Sequence, residues 1–156
     1  MRRIDREITD LNEIKQILSK GMICRLALSV ENVPYIVPLN YGVEFTDPVV
    51  LYFHCAPAGR KLEMLQINNR VCFEIETDTG IIEGKTACDW TMAYKSVIGY
   101  GSVEVITGGD EMLHGLDILM KQYAGEGEFT YKPNVLQRMV ILKLIVESYT
   151  AKSHSF

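Results

Sequence analysis

At 156 residues and a formal net charge of −4 (16 Lys and Arg against 20 Asp and Glu), the chain has room for one domain and lacks the cationic excess that free nucleic acid requires. Apolar residues make up 47% and charged residues 23%, which excludes a disordered or low-complexity chain. Area scaling leaves ~8,000 Å² exposed, with roughly two-thirds of the extended chain's surface buried.

The start, Met1-Arg2-Arg3-Ile4-Asp5-Arg6-Glu7, is charged where a secretory leader would be apolar. No apolar run approaches the ~20 residues of a bilayer span, so no membrane partner is expected. Cys24, Cys55, Cys72 and Cys88 are far apart and form no C-x-x-C pair. Reduced thiols in a cytoplasmic protein are the expectation.

Asp10-Leu11-Asn12-Glu13 has the form of a capping box, and Leu11, Ile14, Ile17 and Leu18 follow at helical spacing up to Gly21, a candidate C-terminal stop. From Met22 the period changes. Residues 22–30 form a β-rich run, Glu31-Asn32 a turn, and residues 33–43 a second strand holding Pro34 and Pro38. Proline cannot donate to a ladder, so these positions face an edge, a bulge or a ligand. Residues 49–55 are a third strand, Ala56-Pro57-Ala58-Gly59 breaks it, and residues 60–67 read as a short helix. Residues 70–77 are a strand, and Asp78-Thr79-Gly80 reads as a hairpin turn. Residues 81–93 carry no clear pattern. Residues 95–106 form a strand interrupted by Gly99 and Gly101, the mark of a bulge or a close ligand. A helix over residues 110–123 and a closing strand over residues 139–150 complete the chain. Strands outnumber helices and their connections are short, which predicts a mainly β, antiparallel barrel with attached helices over residues 1–156.

Chemistry concentrates in Leu51-Tyr52-Phe53-His54-Cys55-Ala56-Pro57-Ala58-Gly59-Arg60-Lys61-Leu62. The segment passes from a strand end through a glycine loop into a helix. Backbone N–H groups at a helix start, with Arg60 and Lys61 beside them, suit a phosphate. An ordinary strand-to-helix turn with two solvated cations is the competing reading. His54 is the one histidine in a strongly patterned segment, as a structural residue or a proton carrier. Tyr94-Lys95-Ser96-Val97-Ile98-Gly99-Tyr100-Gly101 sets a cation and a hydroxyl on a glycine-rich strand, which reads equally as an edge strand with a bulge. No dinucleotide fingerprint, P-loop, nucleophile elbow or zinc-ligand spacing occurs.

Taken in order, Cys24-Arg25-Leu26-Ala27-Leu28, Pro34-Tyr35-Ile36-Val37-Pro38-Leu39-Asn40-Tyr41-Gly42, Leu51-Tyr52-Phe53-His54, Gly59-Arg60-Lys61-Leu62, Val71-Cys72-Phe73-Glu74 and the segment from Tyr94 to Gly101 resemble the pyridoxamine 5′-phosphate oxidase-like FMN-binding split barrels. The branch containing the Nim-type 5-nitroimidazole resistance proteins is the most similar, and it shares the opening Arg2-Arg3-x-Asp5-Arg6-Glu7-Ile8. The resemblance implies a six-stranded antiparallel split β-barrel, a homodimer, and one FMN in each of two clefts between subunits. It places Val37, Pro38, Leu39 and Asn40 along the flavin ring, His54 and Cys55 beside it, and Arg60 with Lys61 on the phosphate. Ser96, with Lys95, would reach the flavin edge or phosphate, and Lys152 matches a C-terminal family lysine loosely. Family members often carry Arg where Lys95 stands, and a small residue at position 55. The implied activity is an FMN-dependent, nitroreductase-like or flavin-reductase-like electron transfer. It would run from reduced nicotinamide or another donor to a small-molecule acceptor, with His54 as the proton carrier. A non-catalytic flavin carrier or sensor, or a haem- or deazaflavin-handling relative, is the alternative.

Overall fold

The computed structural model describes residues 3–154, so Met1 and Arg2 of the opening motif lie outside the described residues. Eight strands share one antiparallel sheet: β1 (Glu7–Ile8), β2 (Cys24–Val30), β3 (Val33–Leu39), β4 (Gly42–Glu44), β5 (Val50–Cys55), β6 (Arg70–Ile82), β7 (Thr91–Ile106) and β8 (Val140–His154). Their order is β3-β2-β6-β7-β8-β5-β4, with β1 added on β8. The six expected strands correspond to the six long ones. The extra pair arises because β1 has two residues and β4 three, too few to show a period.

The three predicted helices sit where expected, and a fourth was not predicted. In α1 (Leu11–Lys20), the Asn12 N–H donates to Asp10 Oδ1 at 2.9 Å. The return bond from Glu13 is replaced by an ion pair with Lys95 at 2.9 Å. Gly21 is needed for space rather than for a left-handed turn: its φ is −59°, and a Cβ there would overlap Ile75 and the Tyr41 hydroxyl. Helix α2 (Arg60–Ile67) starts at Gly59, whose φ of +126° favours glycine. Helix α3 (Gly109–Ala124) covers β4 and β5, and a single turn, α4 (Pro133–Leu136), precedes β8.

Two expectations change. The 33–43 strand breaks into β3 and β4, leaving Asn40 and Tyr41 between them. Tyr41 is fully buried, with its hydroxyl donating to the Leu18 carbonyl at 2.6 Å, so the chain is pulled off the sheet there. Asp78-Thr79-Gly80 does not reverse the chain: β6 continues to Ile82 past a register shift between Thr77 and Gly80, with Asp78 at φ +53°. The left-handed residue makes a bulge, and the reversal comes later, around a 3-10 turn at Ala87–Asp89. Glu31 and Asn32, at φ +51° and +62°, do form the tight β2–β3 turn.

The main core lies on one face of this sheet, and a second cluster of Val50, Tyr52, Met112, Leu116 and Ile141 packs α3 on the other. Leu26, Leu51, Phe53, Phe73, Ile75, Val97, Leu142 and Leu144 are at most 2% exposed and pack together. Gly99 belongs to this face because Phe73 occupies the space a Cβ would need. Residues alternating with the core on β2, β3, β6 and β7 lie on an outer face. There Ile36, Ile98 and Tyr100 are 63%, 42% and 54% exposed.

Candidate functional site

The strand-to-helix segment forms a groove of ≈ 190 Å³ lined by Tyr35, Val37, Cys55, Ala58, Arg60 and Lys61, among others. Three pieces of local structure build it. Among the described residues, strand β3 pairs only with β2, so one side of its backbone, from Val37 through Leu39, is an open edge there. Pro34 and Pro38 are tolerated there because an edge strand spares a row of donors. Helix α2 supplies the Arg60 and Lys61 N–H groups, which have no intrahelical partner, at its start after Gly59.

The Arg60 guanidinium carbon lies over the Tyr35 ring, 4.8 Å from its centroid. Burial pushes the Cys55 thiol up, and the positive charge of Lys61 acts in the opposite direction. The thiol is therefore protonated at neutral pH. Two cations, unpaired N–H groups and an open strand edge make a phosphate-binding end.

The other predicted residues fall outside this groove. His54 is exposed and does not line it, because alternation along β5 sends Cys55 and His54 to opposite faces. Pro38 and Asn40 are exposed and Leu39 is half-buried, and the Asn40 amide reaches the Met22 carbonyl at 3.5 Å. Ile36, between the groove residues Tyr35 and Val37, is in register with Ala27, Cys72 and Tyr100. Ser96 lies four residues along β7 from Tyr100, roughly 13 Å from that row. Lys95, half-buried, is held by Glu13, and Ser96 is paired in register with Lys152 and Glu76.

One feature near that second region gave no sequence signal. A hollow of ≈ 520 Å³ lies between Lys20, Met22, Ile23, Arg25, Thr77 and Asp78. The Thr77 hydroxyl, at the β6 bulge, is buried without a hydrogen-bond partner. A cavity of ≈ 410 Å³ beside α1, lined by Leu11, Ile14, Lys15, Phe45 and Tyr149, is remote from the groove cations. Among the described residues, no group of three or more His, Cys, Asp or Glu side chains is arranged to hold a metal. No helix among them is long and apolar enough to cross a membrane.

A profile of the pyridoxamine 5′-phosphate oxidase family matches residues 10–153. The chain belongs to that family. Among solved structures, a candidate 5-nitroimidazole antibiotic resistance protein from Bacteroides thetaiotaomicron is 32% identical. The match covers 94% of this chain and 86% of that one, at a TM-score of 0.80. The flavocytochrome Anf3 from Azotobacter vinelandii (16% identity, 100% and 72% covered, TM-score 0.83) shares the fold. So does an FAD- and haem-binding protein from Mycobacterium smegmatis (17%, 97% and 74%, 0.82). Among curated proteins, no sequence matches. The family's mainly β architecture is the one described above, and the motif segments fall on β2, β3, β5, α2, β6 and β7 in the order the resemblance implies.

Proposed function

We propose that this chain is an FMN-dependent oxidoreductase that works as a homodimer. It would pass electrons from a reduced nicotinamide or similar donor to a small flat acceptor, in a cytoplasm that keeps its four free thiols reduced. The observation that carries the reading is the Gly59-Arg60-Lys61 groove beside the open β3 edge. It suits a terminal phosphate, and the residues present therefore fit FMN. Arg60 and Lys61 would neutralise the FMN phosphate and the β3 backbone would orient its ring, and the flavin would supply the redox chemistry between donor and acceptor. The 32% identity to a candidate 5-nitroimidazole resistance protein favours a nitro-substituted ring as acceptor. Anaerobic reduction followed by mixing with a nitroimidazole tests this. Flavin reoxidation that depends on acceptor concentration is expected, and inertness toward nitro-aromatic and quinone acceptors alike contradicts it.

Size supports the dimer. At ≈ 190 Å³ the groove is smaller than the ~300–1,000 Å³ of ligand pockets, so it holds the phosphate end and the ring needs a second wall. The chain exposes 9570 Å², more than the ~8,000 Å² of a compact monomer of this mass. Ile36, Ile98 and Tyr100 make the outer face the surface a second copy would cover. Light scattering should give twice 17.7 kDa at micromolar concentration, and Ile98→Asp should shift it toward the monomer. A flavin-loaded monomer contradicts the dimer.

His54 is the proposed proton donor to the acceptor. It ends β5, immediately before the groove loop, and is exposed. His54→Ala is expected to keep FMN affinity, since the side chain does not line the groove, and to slow acceptor reduction by ~10²-fold. Single-turnover reoxidation at the wild-type rate removes it from the mechanism.

A further inference from the structure

Beyond Tyr94, the last β7 residue paired with β8 among the described residues, β6 and β7 continue as an arm pairing Gly80 with Ala93, Ile81 with Met92 and Ile82 with Thr91. The arm ends in a folded tip. The Thr86 N–H and hydroxyl both donate to Asp89 Oδ2, at 3.1 and 2.8 Å. Gly84 packs so closely on Asp89 that a Cβ would overlap it. This braced turn presents Trp90, the single tryptophan of the chain, at 51% exposure, with Ile81 at 62% and Met92 at 50%. A two-stranded ribbon has marginal stability by itself, and an exposed apolar cluster on a braced tip marks a contact surface.

Three observations choose the occupant. Met92 shares its side of β7 with Ser96, Ile98 and Tyr100, so the arm prolongs the outer face assigned above to a second copy. Trp90 immediately precedes β7, ten residues before Tyr100 in the row of the groove, roughly 33 Å along an extended path. The tip also carries Glu83 and Asp89 against one Lys85, a charge complementary to Arg60 and Lys61. A two-fold axis running across the strands would bring the arm of one chain toward the groove end of the other.

We infer that Trp90 forms a wall of the flavin site in the second copy, where its indole stacks on a flat, electron-poor acceptor. The inference rests on the proposed FMN homodimer and adds the residue that lies against the acceptor.

Trans-complementation tests it. Trp90→Ala should keep FMN affinity and lower kcat/KM for a nitro-aromatic acceptor at least tenfold. Trp90→Phe should recover most of that loss. A second variant, Arg60→Ala/Lys61→Ala, has no competent groove but retains Trp90. Unfolded and refolded together in equal amounts, the two chains should regain about a quarter of wild-type activity, because half of the dimers are mixed and each has one intact site. In that mixture only the groove-deficient chain has a tryptophan and only the other binds FMN at low concentration. About half of the tryptophan emission should therefore be quenched by FMN, against none for the groove-deficient chain alone. Activity no higher than that of the parents, or no quenching in the mixture, overturns the inference while leaving the FMN reading standing. So does a fully active Trp90→Ala. A wild-type protein that binds no flavin overturns both.

Discussion

Replacing Arg60 and Lys61 together by Ala is expected to weaken FMN at least a hundredfold while the protein stays folded. Each cation offers the phosphate a charge-assisted hydrogen bond worth ~1.5–3 kcal/mol, and every 1.4 kcal/mol is about a factor of ten in affinity. The fold should be indifferent, since Arg60 is exposed and Lys61 half-buried, and the helix is anchored by Leu62, Met64 and Leu65 instead. Arg60 also sits over the Tyr35 ring, so Arg60→Lys should recover charge but not the guanidinium contact, and fall between the two. Fluorescence titration of free FMN measures the change. An affinity within threefold of wild type, with an unchanged melting temperature, removes the groove from the cofactor site.

The second large effect is on stability. Phe73→Ala should cost ~3–5 kcal/mol and lower the melting temperature by about 10 °C. Phe73 is 2% exposed at the centre of the sheet, in register with Leu26 and Gly99, and its ring fills the space that the missing side chain of Gly99 leaves open. Truncation therefore leaves a cavity whose far wall is backbone, with little freedom to collapse inward. Strands β2, β6 and β7 carry both the edge strand β3 and the arm, so the variant should also bind FMN less well near its lowered melting point. Thermal unfolding followed by circular dichroism checks it. A shift of less than about 3 °C contradicts this account of the core.

The parts legible in the sequence share a cause: their signals are local. The helix 60–67 was bounded by a glycine and an Asn pair, and the structure gives Arg60–Ile67. The two prolines marked β3 as special because proline forbids a central ladder position, and β3 is an edge. The Gly99-Gly101 interruption predicted a bulge, and the β7–β8 register shifts between Tyr100 and Gly101. Tertiary facts left no such trace. Asp78-Thr79-Gly80 has the composition of a hairpin turn, yet pairing with β7 carries the strand through it. Trp90 lay in a stretch without periodicity, because a turn held by Thr86 and Asp89 has none. At the site, Arg60, Lys61, Cys55 and Val37 meet in one groove, whereas His54, Lys95 and Ser96 stand apart from it in the chain. Face alternation along β5 decides the first of these and strand register the other two, and neither can be read from a motif.

The central claim, that this chain is an FMN protein, is met most directly by purifying it without added cofactor and recording its visible spectrum. The account predicts a yellow protein with oxidised-flavin absorption that releases FMN, close to one per chain, on denaturation. A colourless protein that does not bind added FMN, or one dominated by a haem Soret band, would contradict it.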